Sequence, residues 1–159
     1  MKAVVGLGSN LGDRLATLRS AVAALGKLGA VRAKSAIYET APLLPPGASS
    51  QPHYYNAAVL LETELAPDAL LDQLHAIEGQ HGRERSEKWA ARTLDLDILW
   101  IDGMTIATDT LVVPHPQLRE RAFALRPLLD VAPGAKDPAT RTTYRLATGN
   151  AVVKMAHEL

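Results

Sequence analysis

Apolar and polar positions along this chain switch between two periods, and the switches mark its elements. Ala3-Val4-Val5-Gly6-Leu7-Gly8 is a continuous apolar run that ends in the turn residues Ser9-Asn10-Leu11-Gly12, which predicts a buried strand. Asp13 then stands where a helix cap belongs. Leu15, Leu18, Val22 and Leu25 fall on one helical face behind it, with Gly26 or Gly29 to end the helix. Val31 to Thr40 predicts a second strand and Tyr54 to Thr63 a third. Pro67 opens another helix whose core face is Leu70, Leu71, Leu74 and Ile77, closing near Gly82. A fourth strand runs through Leu94 to Ile101. Asp102-Gly103 then signals a hairpin, so Met104 to Ala107 is expected to pair back on that strand. A helical stretch follows around Arg119, Arg121 and Phe123 to Leu129. Beyond Pro133 the chain is polar and weakly patterned, which predicts a peripheral segment over about 134–159 with a tail from Ala147 to Leu159.

The order strand, helix, strand, strand, helix, strand predicts an α+β fold, a ferredoxin-like β-α-β-β-α-β sandwich with an added hairpin and C-terminal helices. At 159 residues and 47% hydrophobic content, one domain spanning 1–159 is expected. Two segments do not fit the regular pattern. Residues 41–52 carry four prolines and a glycine, cannot enter a sheet, and read as a long surface loop of the functional kind. Residues 83–92 concentrate Arg83, Arg85, Lys88 and Arg92 against only Glu84 and Glu87, and lead directly into the fourth strand.

That strand carries the chemistry. Side chains alternate across a strand, so Asp95 and Asp97 share one face while Leu94, Leu96 and Ile98 point to the other. Asp is unfavourable in strands, and a single one reads as a solvated edge position. Two at i and i+2, with Arg92 just before them, favour function. Mg²⁺ takes oxygen ligands, often one or two carboxylates plus substrate phosphates, and paired metal ions sit roughly 3.5 to 4 Å apart. The pair therefore reads as a magnesium platform for phosphoryl chemistry. Arginine forks suit phosphate oxygens, although such a run is ordinarily just solvated.

Other polar residues keep two readings at this stage. Asn56 either satisfies backbone groups or reads the edge of a heterocycle stacked on Tyr54. His115, between Pro114 and Pro116, is either structural or meets a nucleotide together with Arg121. Glu78 and His75 fit an ordinary helix surface. Gly6, Gly8 and Gly12 miss the G-x-G-x-x-G spacing by one residue, and no G-x-x-x-x-G-K-[ST] occurs, so phosphate must be held by side chains and metal.

Composition removes several classes. The 17 basic and 17 acidic residues cancel, aromatics are 4%, and an RNA-binding aromatic motif is missing, so nucleic acid is not an expected partner. Cysteine is absent, which excludes thiolate chemistry and disulfides. No stretch is long enough to span a bilayer, and the opening run is too short for a secretory leader, so a cytoplasmic protein is expected.

Taken together, Gly8-Ser9-Asn10, Tyr54-x-Asn56, Arg92-Thr93-Leu94-Asp95-Leu96-Asp97-Ile98, Pro114-His115-Pro116, Arg121-x-Phe123 and Pro127-Leu128 closely resemble the 6-hydroxymethyl-7,8-dihydropterin pyrophosphokinases of folate biosynthesis, from Ala3 to about Pro133. The resemblance implies transfer of pyrophosphate from ATP to the pterin hydroxymethyl oxygen, with release of AMP. It implies that Asp95 and Asp97 ligate two Mg²⁺ ions, and that Arg83, Arg85 and Arg92 belong to a loop closing over the phosphates, with Trp89 as its aromatic lid. It places Glu78, Ile98, His115 and Arg121 on the ATP side. Tyr54 and Phe123 become the two faces of a pterin sandwich, with Asn56 and the backbone from Thr40 to Leu43 reading the ring edge. ATP and the pterin are then the small-molecule partners, with no membrane and a monomer expected. Arg83, Arg92, Asp95 and Asp97 form the implied catalytic set. Two other classes compete with this one: a ligand-sensing module that consumes no ATP, and an ordinary kinase that moves only the γ-phosphoryl group.

Overall fold

The computed structural model describes residues 1–41, 45–50, 52–82, 93–146 and 152–159. Strand β1 (Lys2–Ser9) is an interior strand, antiparallel to β4 (Tyr54–Glu62) on one side and to β5 (Asp95–Ile101) on the other. Its unbroken apolar run is explained by burial of both faces. Ala3, Val5 and Leu7 meet Leu18, Ala21 and Leu25 of helix α1 (Arg14–Leu25) and Leu70, Leu74 and Ile77 of α2 (Pro67–Gln80). On the opposite face Val4, Ala58, Leu99 and Trp100 pack against Leu125 and Leu128 of α3 (Ala122–Val131). The result is a mixed fold in which one antiparallel sheet separates two helices from a third.

The helix boundaries follow local chemistry. The Asp13 carboxylate accepts from the Ala16 N–H at 3.0 Å, satisfying one of the free amides at the start of α1. Pro67 begins α2, where its missing N–H costs nothing. Asp130 fixes α3 to the sheet: its Oδ2 accepts from the Tyr38 hydroxyl at 2.7 Å and from the Ala36 N–H at 3.1 Å.

The expected second strand is two strands, β2 (Ala30–Lys34) and β3 (Ala36–Thr40), both paired with β4. Ser35 makes the break. Its side-chain oxygen accepts from the Ala58 N–H at 2.8 Å and donates to the Ala36 carbonyl at 2.6 Å, while its own N–H donates to the Ala58 carbonyl at 2.9 Å, so a side chain takes the place of one ladder bond.

The hairpin expectation also needs correcting. Gly103 takes the left-handed turn conformation, φ +67, but the return pairing stops at a single bridge between Ile101 and Met104. The chain then leaves to form a separate two-stranded ribbon, β6 (Ile106–Ala107) with β7 (Val112–Val113). The plural C-terminal helices reduce, among the described residues, to a short 3-10 turn at Leu118–Glu120 and α3. The expected tail instead carries a strand, β8 (Val153–Glu158), paired antiparallel with β3, so the main sheet runs β5-β1-β4-β3-β8.

Candidate active site

The α3 side of the sheet gathers polar groups near one end of β5, β1 and β4. Asp95 and Asp97 occupy alternate positions of β5, half-buried and exposed respectively, with buried Leu96 and Ile98 pointing the other way. In register beside them on β1 stand Gly8, opposite Asp95, and Gly6, opposite Asp97. These two positions have no side chain to crowd the carboxylates. A Cβ on Gly6 would meet Leu99 Cδ1 at 2.9 Å, and one on Gly8 would lie 3.1 Å from Asn56 Oδ1 and 3.5 Å from Tyr54 Cδ1. The sequence weighed these glycines only as a phosphate-loop pattern. They are strand glycines: Gly6 leaves room for the Leu99 side chain, and Gly8 separates Asp95 on β5 from Asn56 and Tyr54 on β4.

On β4, Tyr54 and Asn56 share the face of Gly8, and Asn56 is Gly8's register partner. The Asn56 amide is buried and fixed: its Nδ2 donates to Thr40 Oγ1 at 2.6 Å, while Oδ1 faces Gly8. Thr40, Tyr54 and Asn56 are thus brought together at one end of β3 and β4.

The third wall comes from the segment before α3. The His115 N–H donates to the Leu99 carbonyl at 2.9 Å, which ties the Pro114-His115-Pro116 segment to β5. The Gln117 N–H points at His115 Nδ1, at 3.3 Å, so the neutral ring carries its proton on Nε2. Burial lowers the imidazole pKa, the Asp97 carboxylate opposes this, and the Arg121 guanidinium adds to it. Those influences make His115, Asp97 and Arg121 electrostatic neighbours. Arg121 caps α3 and stacks over the Phe123 ring at 5.6 Å, while Phe123 packs against the apolar cluster of the α3 side.

Two of the implied ATP-side residues are buried on the α1 and α2 side of β5. Ile98 is buried in the core shared with α1 and α2. Glu78 is no surface residue: it is 1% exposed, and its Oε2 accepts from the Leu96 N–H at 2.8 Å. His75 is exposed. Leu43, Arg83, Arg85, Trp89 and Arg92 fall outside the described residues.

Residues that sequence reasoning passed over hold the loop before β4. Arg14 Nη1 donates to the His53 carbonyl at 2.7 Å, and its guanidinium stacks 3.9 Å from the centre of the Tyr55 ring. Asn10 Nδ2 donates to the Pro52 carbonyl at 3.3 Å. Asn10 carried a signal, since it stands in the Gly8-Ser9-Asn10 motif, but Arg14 carried none.

Among the described residues no group of three or more His, Cys, Asp or Glu gathers to hold a metal. Two carboxylates on one strand face suit an ion that takes its remaining ligands from phosphate and water, as Mg²⁺ does, and do not make the closed cage of a structural zinc.

Residues 4–133 match the sequence family described as 7,8-dihydro-6-hydroxymethylpterin-pyrophosphokinase (HPPK). The chain belongs to this family. It is 43% identical over 140 residues to the 2-amino-4-hydroxy-6-hydroxymethyldihydropteridine pyrophosphokinase of Bacillus subtilis, covering 87% of this chain and 82% of the relative. It is 42% identical over 134 residues to the enzyme of the same name from Methylorubrum extorquens, covering 83% of each. In three dimensions it resembles a Plasmodium falciparum HPPK-DHPS triple mutant with a TM-score of 0.71 at 20% identity, over 91% of this chain and 43% of that longer one. The structural likeness speaks for the HPPK fold, and the sequence relatives place the chain in the family.

Proposed function

We propose that the chain transfers a pyrophosphoryl group from ATP to the hydroxymethyl oxygen of 6-hydroxymethyl-7,8-dihydropterin, giving the pterin diphosphate and AMP. The observation that carries the reading is the face shared by Asp95 and Asp97, with Gly8 alone standing between Asp95 and the Asn56/Tyr54 pair. Its fold is taken as ferredoxin-like, supported by the strand order β5-β1-β4-β3 with α1 and α2 on one face, and residues 1–159 as one domain.

Asp95 and Asp97 would hold two Mg²⁺ ions, which supply charge neutralisation for the triphosphate and the acceptor hydroxyl. The remaining work falls to positioning, since phosphoryl transfer through a loose transition state asks little covalent chemistry of the protein. Tyr54 and Phe123 offer ring faces for the pterin. Asn56, its amide fixed by Thr40, offers hydrogen bonds to the ring edge. The Nε2–H of His115 and the Arg121 guanidinium offer a donor and a cation beside Asp97 for the nucleotide. Arg83, Arg85, Arg92 and Trp89 complete the set as phosphate ligands and lid. Asp97→Ala is the direct test. The variant should melt near the parent yet lose turnover by several orders of magnitude, and near-normal turnover would remove Asp97 from the site.

A further inference from the structure

We infer that Glu78 is a positioning residue which sets the two metal-binding aspartates through the backbone of Leu96; this deepens the proposed function and rests on it. Glutamate is almost never fully buried unless paired, because a desolvated carboxylate is costly without compensating hydrogen bonds. Glu78 is 1% exposed in the last turn of α2, and α2 packs on β5. An apolar side chain would fill that place at lower cost, so the carboxylate needs a cause.

The hydrogen bond supplies one. Successive N–H groups of a strand point to opposite sides, and β5 ends the main sheet with β1 as its ladder neighbour. The Leu96 N–H points away from β1, at an edge where regular pairing stops. Glu78 Oε2 accepts it at 2.8 Å, a charge-assisted bond and so a strong one. Leu96 is the residue between Asp95 and Asp97, and a rotation of the strand there swings both carboxylates. An edge strand has ladder bonds on one side only, and its outward N–H groups are left to find other acceptors. Glu78 therefore fixes the pleat that sets the angle between the two aspartates. It is not a third metal ligand: its bond reaches the strand from the α2 side, the aspartates face α3, and the three do not form a metal-binding group.

The test compares Glu78→Leu, which keeps volume and removes the acceptor, with Glu78→Gln, which restores an acceptor oxygen of the same reach. One readout is amide hydrogen exchange at Leu96 in the metal-free protein. The other is the Mg²⁺ concentration giving half-maximal rate at saturating ATP and pterin. Residues that orient metal ligands typically cost about 10–100-fold in metal affinity when removed. Glu78→Leu should therefore expose the Leu96 amide to exchange about tenfold faster or more and raise the Mg²⁺ requirement at least about tenfold. The KM for the pterin should hold, and Glu78→Gln should recover most of both losses. A folded Glu78→Leu protein with parental Leu96 protection and Mg²⁺ dependence overturns the proposal. So does a Glu78→Gln variant whose defect lies in the KM for ATP, since that would make Glu78 a nucleotide ligand. If Glu78→Leu does not fold, the same two readouts on Glu78→Ala decide. A parent protein without pterin-dependent turnover would sink the functional reading and leave the exchange result standing.

Discussion

Asn56 Nδ2 donates to Thr40 Oγ1 across 2.6 Å, and both residues are buried on neighbouring strands. A buried amide held on one side presents its other atoms in one orientation. Thr40→Val keeps the shape and removes the acceptor, which frees the amide to turn. Losing such a bond costs about 1 kcal/mol, or about 3 when the donor is left unsatisfied. The KM for the pterin should rise about five- to tenfold, with the KM for ATP unchanged. Steady-state kinetics with each substrate varied in turn checks this; an effect confined to ATP would place Asn56 on the wrong substrate.

Arg14 reaches the same end of the sheet from the opposite face, where Tyr55 packs. Its guanidinium grips the His53 carbonyl and covers Tyr55, the residues on either side of Tyr54. Arg14→Ala should loosen the approach to Tyr54, raising the pterin KM several-fold while kcat and the melting temperature change little. Arg14→Lys should restore little of this, because an ammonium lacks the planar fork that stacks and donates together. Full recovery by lysine would reduce the role of Arg14 to charge.

Alkaline pH should act through Tyr144. Burial, and secondarily Asp137, push its pKa up to about 12, against the pull of Arg119, whose guanidinium stacks 4.7 Å from the ring centre. A folded-state value above the unfolded one, about 10, means stability is intact below pH 10 and declines as pH rises toward 12. The Tyr144 hydroxyl has no hydrogen-bond partner among the described residues. Tyr144→Phe should therefore leave neutral-pH stability level or slightly higher, and flatten the decline above pH 10. Melting curves against pH check the sign, and a steeper decline in the variant would contradict it.

Much of this was written plainly in the chain, and the exceptions have physical causes. β1, β4 and both flanking helices were legible because long apolar periods are bounded by Asp13, Pro67 and glycines. Asp95, Asp97 and Asn56 stood out as candidates because polar groups on buried strands are costly, and Tyr54 only through its place beside Asn56. The break at Ser35 was not, since it arises from a side chain that bonds across to Ala58, a partner 23 residues away. β8 was missed because its residues are mostly exposed and show no alternation. Glu78 looked like a surface helix residue because its periodicity says nothing of a backbone amide on another element. The Arg14 contacts depend on where the loop before β4 returns, which no local pattern encodes.

The most direct measurement is to incubate the protein with ATP, Mg²⁺ and 6-hydroxymethyl-7,8-dihydropterin and resolve the nucleotide products. The account predicts AMP appearing in equal amount with a pterin diphosphate, and none when either Mg²⁺ or the pterin is withheld. ADP as the product would mean an ordinary kinase, and ATP left unchanged would mean a binding module; either contradicts the account.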